Sequence, residues 1–474
     1  MGFLPVVAMV GRMVLLFALL MLVPLGFAWY DHDRGEDAFI TATLITFGAG
    51  VLMSLATRRF RRELQPRDGF LLVTLTWLVL PAFATLPLLL AIPGLSFTDA
   101  YFETMSGLTT TGATVLTGLE KLPLSVNVWR CFMVLVGGMG IIVLVVAILP
   151  LMGVGATQLF KSESAGPMKD QKLTPRIAET ARGLWVVYFT VATACFFAYH
   201  WAGMSWADAF MHMCTTMGLG GLSSHDASFA YWGSLRIEMV ATVFMALAGI
   251  SFARYFIVWR TRSVGTLAGD AEVRAYFTVL AAAVVVLSLL LVAQGTYASF
   301  PEALRAAAFQ TVSLATTTGY SSTDYALWPA FAPVLLVFLG CFVSCAGSTG
   351  GGIKMVRMIM LVKQARRELV RIIHPRVVNP VTLNGRNIPS SVIAAVMAYM
   401  LIYGASIVGL SMLMLASGLD VVTAFSAVIV CVNNIGPGLG LVGPSSTFGV
   451  LTDFQTWICT FAMLLGRLEL LSVL

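Results

Sequence analysis

The chain has 474 residues, of which 58% are hydrophobic and 11% are charged, and its formal net charge is +6. Soluble domains carry about 25% charged residues, so a chain of this composition has too much apolar surface to fold in water. The composition excludes a large soluble catalytic or nucleotide-binding domain and predicts an all-α protein that crosses a membrane several times. We expect lipid as its solvent and no nucleic-acid partner, since net charge on a membrane protein is no sign of one.

Apolar runs of about 20 residues predict the spanning helices. In chain order they cover residues 6–29, 37–58, 69–92, 127–151, 182–204, 233–259, 274–294, an interrupted run over 329–370, 389–417 and 453–474. The first run is too long for a signal peptide and lacks a cleavage site before its polar flank, so we interpret it as a helix. The last run is still apolar at Leu474, which suggests that its helix is clipped there.

The sidedness of the chain follows from its lysines and arginines, which concentrate in cytoplasmic loops. Basic stretches lie at 58–62, 161–182, 254–274 and 354–386, whereas the connection at 31–37 is acidic. Two predicted helices separate successive basic stretches. Both ends of the chain are therefore predicted to be cytoplasmic.

Between the spanning helices lie four segments that are too short or too broken to span: 97–117, 205–226, 300–324 and 420–444. Each begins near an acidic residue, continues as a short amphipathic stretch, and ends in a tract rich in Thr, Asn or Gly. A carboxylate favours a helix N-terminus, and glycine breaks a helix. The pattern predicts four helix–pore-loop–helix repeats around one central pore, with an additional N-terminal helix pair. The predicted boundaries are 1–66 for that pair and 67–155, 156–265, 266–376 and 377–474 for the repeats.

The chemistry of these tracts indicates a path for a monovalent cation. Backbone carbonyls can replace the water around such an ion without binding it too tightly to leave. Irregular backbone at membrane depth is tolerated where protein or a water-filled cavity surrounds it. In the second tract, counting from Phe210 aligns Gly220 with the other glycines, whereas matching residue types aligns Gly221 with Gly319. We prefer the second alignment because it matches several residue types.

Several stretches resemble the TrkH/TrkG branch of the Trk/Ktr/HKT superfamily of potassium transport proteins. They are Phe102–Leu116, Gly137–Gly140, Ala346–Lys354, Asn433–Gly438 and Gly466–Glu469. The resemblance covers essentially the whole chain and implies a gated, channel-like pore for potassium uptake across a bacterial inner membrane. Leu222 departs from the aromatic residue that we expect in the family at that position, which leaves the shape of one quarter of the pore open.

The resemblance implies a potassium-binding filter that takes three consecutive residues from each tract. The implied filter residues are Thr110, Thr111, Gly112, Leu219, Gly220, Gly221, Thr317, Thr318, Gly319, Asn434, Ile435 and Gly436. In the wider superfamily a serine at the first glycine position accompanies sodium permeation. Gly112 therefore favours potassium.

The resemblance also implies a gate in the interrupted run, where consecutive glycines weaken a helix by about 1 kcal/mol each. The implied gate residues are Gly347, Ser348, Thr349, Gly350, Gly351, Gly352, Lys354 and Arg467. Arg467 lies in an apolar run, where a charge marks a functional site or an ion pair. Its alternative is an ion pair with Glu469 or a position at the membrane surface. The glycines do not form a nucleotide-binding P-loop, because Ile353 separates glycine from Lys354.

Further expectations concern partners and the type of transport. The family forms homodimers with a pore in each subunit and binds a cytoplasmic TrkA-type regulator that binds NAD(H) and adenine nucleotides. We predict no organic cofactor in this chain, potassium as the transported ion, and no enzymatic activity, since no His/Asp/Glu cluster has catalytic spacing. The alternative is a potassium symporter coupled to protons or sodium. Inverted repeats and midplane charges typify such carriers, whereas here only Arg467 suggests a deep charge.

The remaining candidates are polar residues near the tracts and the seven cysteines. We expect the cysteines to be free thiols, since no metal-binding or disulfide pattern is present. The acidic residues near the tracts are predicted to form a solvated outer rim that could concentrate cations; they are Glu103, Glu120, Asp226, Asp324 and Asp453. His212 and His225 are expected to pack and hydrogen-bond rather than carry protons.

Overall fold

The computed structural model describes residues 4–58, 66–148 and 177–468, and the helices there follow most of the predicted runs. Helices at the predicted runs are Leu4–Leu20 with Leu22–Asp31, Glu36–Ala56, Pro66–Ala91, Leu124–Ile148, Ile177–Ala202, Leu235–Ala248 with Phe252–Thr261, Ala271–Ala293, Phe331–Gly340, Met355–Ile373, Ser390–Ala416 and Asp453–Arg467. Leu124–Ile148 has a kink at Gly140, where φ is 64°. A four-residue helix, Gly265–Ala268, and a hairpin of the strands Thr382–Leu383 and Arg386–Asn387 lie in the connections. Glu469 and the apolar end at Leu474 lie outside the described residues.

Among the described residues, six helices are long and apolar enough to cross a membrane, or seven if one bent pair is counted as one span. Large apolar side chains face outward on these helices, including Leu44, Leu52 and Leu289, each more than half exposed. Such a surface is stable in lipid rather than in water. The chain is therefore a multi-pass membrane protein.

The predicted uninterrupted helix over 233–259 is wrong, because the chain bends by 85° between Leu235–Ala248 and Phe252–Thr261. Gly249 lies at the break, where an added Cβ would be 2.5 Å from the Tyr276 hydroxyl. The carbonyl oxygen of Gly249 accepts a hydrogen bond from the Cys345 N–H at 3.1 Å. A distant segment of the chain thus takes a carbonyl that a continuous helix would have used.

The four predicted broken segments each contain a short helix: Phe97–Leu108, Trp206–Gly218, Phe300–Ala315 and Val421–Val432. We call them short helices 1 to 4. Ser96, Ser205 and Asp420 cap three of them by accepting a backbone hydrogen bond with the side chain. These caps satisfy N–H groups that a helix start leaves open. The three capped helices therefore begin at a point that the sequence encodes, and all four short helices run into the tract that follows them.

Glycines allow the following long helices to lie against the ends of the short helices. A Cβ at Gly137 would lie 1.8 Å from the Leu108 carbonyl oxygen, and one at Gly466 would lie 2.0 Å from that of Val432. At Gly340 the corresponding distance to the Leu314 oxygen is 2.8 Å. No side chain fits at the first two positions, which explains the glycines in two of the stretches that carry the family resemblance.

Candidate functional site

The tracts that follow the short helices, which we call loops 1 to 4, contact one another in a closed ring. A Cβ added at Gly112 would lie 2.4 Å from the Gly221 nitrogen, and one at Gly221 would lie 2.5 Å from the Thr318 oxygen. At Gly319 the nearest atom is the Ile435 oxygen at 2.0 Å, and at Gly436 it is the Thr111 oxygen at 2.9 Å. Each loop thus meets the next by backbone, and the fourth meets the first.

The loops share one backbone feature, although Gly221 lacks the positive φ of Gly112, Gly319 and Gly436. The residue two positions before each ring glycine has a positive φ, although none of the four is glycine: Thr110, Leu219, Thr317 and Asn434, with φ of 57°, 55°, 64° and 52°. This conformation is uncommon for such residues and persists where the surroundings enforce it. The two-residue spacing from Leu219 supports the alignment of Gly221, rather than Gly220, with Gly112, Gly319 and Gly436.

Side-chain hydrogen bonds connect the loops to one another and to neighbouring helices. The Asn434 side-chain amide donates to the Thr111 hydroxyl at 2.9 Å and to the Met463 carbonyl at 3.1 Å. The Tyr320 and Thr216 hydroxyls hydrogen-bond at 3.1 Å, which joins loop 3 to short helix 2. Leu222, the expected departure, is 1% exposed and packs in the core.

The interrupted run is irregular over 341–354, and residues 346–354, which we call the glycine loop, lie against the ends of the short helices. The Thr349 hydroxyl donates to the Met217 carbonyl at 3.0 Å, and the Gly351 N–H donates to the Thr317 hydroxyl at 2.9 Å. A Cβ at Gly351 would lie 2.1 Å from the Asn433 oxygen. The loop therefore contacts short helix 2, loop 3 and loop 4 directly. Of the remaining residues, Gly347 and Gly352 have positive φ, and Ser348 is half-buried.

Arg467 lies beside the glycine loop and connects it to loop 1. Its guanidinium donates to the Thr349 carbonyl at 3.2 Å, to the Thr110 hydroxyl at 3.4 Å, and to the Gly137 carbonyl. The guanidinium carbon also lies 5.5 Å from the Trp77 ring centroid. Lys354 is 7% exposed and donates to the Gly350 carbonyl. Both cations therefore face the glycine loop.

A second buried charge, Arg130, was not predicted from the sequence, and its partner Glu103 was predicted at the wrong place. Glu103, expected on a solvated rim, is fully buried and paired with Arg130 at 2.7 Å, and both side chains are 0% exposed. Arg130 also donates to the Ser223 carbonyl at 3.1 Å, and Glu103 accepts the Val115 N–H at 3.1 Å. The pair thus joins loop 1 to loop 2. The signal was available, since Arg130 lies within a predicted span, where a charge is costly.

Residues from all four loops line a cavity beside the ring, together with His225 and Asp226. Asp226 accepts the Gly118 N–H at 2.8 Å. The His225 ring lies 3.3 Å from Asp208 and 3.6 Å from Glu120. Slight burial raises the pKa of Glu120, but hydrogen bonds from backbone N–H groups and the neighbouring His225 outweigh it, so the pKa is lowered.

His212 is buried and hydrogen-bonds the Asp208 carbonyl at 2.9 Å and the Ser223 hydroxyl at 3.0 Å. These contacts agree with the packing role expected for it. Asp324 is half-buried; its carboxylate caps the turn at Tyr325–Leu327 and accepts the Ser445 hydroxyl at 2.5 Å.

The filter positions offer neutral oxygens: backbone carbonyls in all four loops and threonine hydroxyls in loops 1 and 3. Within the described residues, no group of three or more His, Cys, Asp or Glu side chains could hold a metal ion. Neutral oxygens suit a monovalent cation that must both bind and leave. The C-terminal ends of the short helices precede the loops, and their partial negative charge favours a cation there.

Comparisons with known proteins identify the family. The sequence model named TrkH, described as cation transport protein, matches residues 36–474. The Trk system potassium uptake protein TrkH of Halomonas elongata is 43% identical over 99% of this chain and 97% of its own length. TrkG of Escherichia coli strain K12 is 35% identical over 98% of this chain and 96% of its own length. The crystal structure of the potassium transporter TrkH from Vibrio parahaemolyticus superposes with a TM-score of 0.89 at 39% identity, covering 100% of this chain and 98% of that one. The chain therefore belongs to the TrkH family of cation transport proteins.

Proposed function

We propose that this chain takes up potassium across a bacterial inner membrane through the ring of loops 1 to 4. The closed backbone contact between each ring glycine and the next loop carries the proposal. Such a ring presents carbonyl oxygens from four directions to one ion. The names of the relatives, Trk system potassium uptake proteins, support potassium as the ion.

In the proposed filter the potassium ion contacts carbonyls of the predicted filter residues. The left-handed residue two positions before each ring glycine ends the helical hydrogen-bond pattern, so the carbonyls that follow it are not used within a helix and can face an ion. A serine at Gly112 would place a side chain against the Gly221 nitrogen and displace loop 2. Substitution of Gly112 is therefore expected to weaken selectivity.

The glycine loop and Arg467 form the proposed gate. A cation leaving the ring toward Thr349 would meet the Arg467 guanidinium, which lies 3.2 Å from the Thr349 carbonyl. Moving or deleting the glycine loop would remove this obstruction. We further propose a homodimer, a cytoplasmic TrkA-type regulator as the partner that moves the gate, cytoplasmic chain ends, and the repeat boundaries predicted from the sequence.

The test is ⁸⁶Rb⁺ uptake into liposomes that contain the purified chain, with K⁺ or Na⁺ as competitor. We expect K⁺ to compete far better than Na⁺, and Gly112→Ser to reduce that preference about tenfold, which corresponds to about 1.4 kcal/mol. Gly94→Ser is the matched control, because Gly94 has the same φ of 81° but no atom within 4 Å of an added Cβ.

A variant that lacks residues 347–352 shows whether an absence of flux is due to a closed gate or to the lack of a pore. If the gate is correct, the deletion variant conducts without a partner. If neither the intact chain nor the deletion variant conducts under a potassium gradient alone, the channel-like proposal fails. Flux that appears only with an added proton or sodium gradient would instead support the coupled symporter.

A further inference from the structure

A buried glutamate joins the two ends of the glycine loop. Glu272 lies in the first turn of the helix Ala271–Ala293 and is 8% exposed. Its Oε1 atom accepts hydrogen bonds from the Ala346 N–H at 2.7 Å and from the Val356 N–H at 3.2 Å. These amides lie on either side of the glycine-rich stretch. One carboxylate oxygen thus holds both ends, and they cannot separate without breaking one of these bonds.

The N-terminal end of the glycine loop packs against the break in the bent helix. The Phe252 N–H donates to the Gly347 carbonyl at 3.2 Å, and Cys345 donates to Gly249. An added Cβ at Gly347 would lie 2.8 Å from the Ser251 hydroxyl. The bend between Leu235–Ala248 and Phe252–Thr261 therefore provides the surface against which Glu272 holds the loop.

The start of the helix that carries Glu272 is itself fixed by polar contacts. Asp270 caps the helix by accepting the Glu272 and Val273 N–H groups, and it pairs with Arg254. The Asn384 side chain, in the hairpin turn, donates to Asp270 at 3.0 Å and accepts the Ala271 N–H at 2.9 Å. Glu272 thus has a fixed backbone from which to act, since two separate segments hold its helix end.

We propose that Glu272 is a positioning residue that fastens the glycine loop beneath the ring. The role of the loop as a barrier rests on the proposed function, but its attachment by Glu272 does not. Without the carboxylate oxygen, the Ala346 and Val356 amides lose their buried acceptor, and the loop can leave the ends of the short helices.

Cys345 can report release of the glycine loop, because its thiol is buried and the N–H of its neighbour Ala346 is hydrogen-bonded to Glu272. The experiment compares Glu272→Leu, which removes the acceptor, with Glu272→Gln, which keeps an oxygen at Oε1. The reconstituted full chain is labelled with N-ethylmaleimide, and mass spectrometry gives the rate at each cysteine. The buried thiols of Cys131 and Cys195 serve as internal controls.

We expect Glu272→Leu to raise the labelling rate of Cys345 about tenfold, roughly the factor expected when a buried amide loses its acceptor. Cys131 and Cys195 should label at their original rates, and Glu272→Gln should stay close to the parent protein. An unchanged rate at Cys345, an equal rise at all cysteines, or a Gln variant that behaves like the Leu variant would each overturn the proposal. ⁸⁶Rb⁺ flux measured on the same samples tests the barrier separately, because release of the loop without added flux would contradict the gate and leave the attachment intact.

Discussion

The buried pair of Glu103 and Arg130 allows a quantitative test of how the ring is held. Both side chains are 0% exposed, and the pair joins loop 1 to loop 2. Removing one member of a buried pair leaves an uncompensated charge and costs about 3–5 kcal/mol. Arg130→Gln and Glu103→Gln should each show a loss of this size. The double variant Glu103→Gln/Arg130→Gln, which leaves no buried charge and keeps amides in place, should lose less than either single variant.

The assay is the free energy of unfolding in mixed detergent and dodecyl sulfate micelles, followed by tryptophan fluorescence and analysed as a double-mutant cycle. The expected coupling energy is about 3 kcal/mol or more. The pair of Arg305 and Glu238 is a matched control, because it is also within hydrogen-bond distance at 2.7 Å but the arginine is 38% exposed. Its coupling should be smaller. Additive losses at Glu103 and Arg130, or a double variant that is less stable than both single variants, would refute this reasoning.

Two further predictions concern helix packing and capping. Gly137→Ala should prevent normal folding or cost several kcal/mol of stability, because its Cβ would lie 1.8 Å from the Leu108 oxygen. Gly404→Ala, with open space around it, should instead stabilise its helix by up to about 1 kcal/mol. Thermal melting in detergent measures both effects, and equal effects would contradict the packing. Asp420→Ala should cost about 1 kcal/mol at neutral pH through loss of the cap. Hydrogen bonds from Thr423 lower the pKa of Asp420, so the advantage of aspartate over Asp420→Asn should be present above about pH 4 and disappear as the pH falls through the lowered value; a constant difference from pH 7 to pH 2 would contradict it.

The sequence predicted the elements that local patterns encode. Apolar length predicted the spanning helices, and the acidic residues and glycine-containing tracts of the broken segments predicted the short helices and loops. The backbone also supports the preferred position of Gly221, since Leu219 has the same positive φ as Thr110 and Thr317. The family, predicted from motifs at these positions, is confirmed by the matching family model over residues 36–474.

What the sequence did not predict depends on partners far along the chain. At the break near Gly249, the free carbonyl accepts a hydrogen bond from Cys345, almost a hundred residues later in the chain. Glu103 resembled a rim residue because its partner Arg130 belongs to the next helix. Glu272 resembled an ordinary residue at a helix start, and only the folded chain brings Ala346 and Val356 to it. A local pattern can mark a costly charge such as Arg130 within a predicted span, but it does not identify the distant group that this charge contacts.

These long-range contacts have a common physical cause. A chain that turns at membrane depth leaves backbone groups without helical partners, and in lipid each must be satisfied by protein. Here side chains provide that partner: Arg130 for the Ser223 carbonyl, Ser313 for the Tyr320 carbonyl at 2.7 Å, and Glu272 for the glycine loop amides. Under the proposed function, carbonyls at the ring can remain available to potassium because side chains satisfy the groups just outside it. A variant that removes such a side chain should therefore disturb ion flux before it disturbs the helices, since the helices keep their own hydrogen bonds and the loops do not.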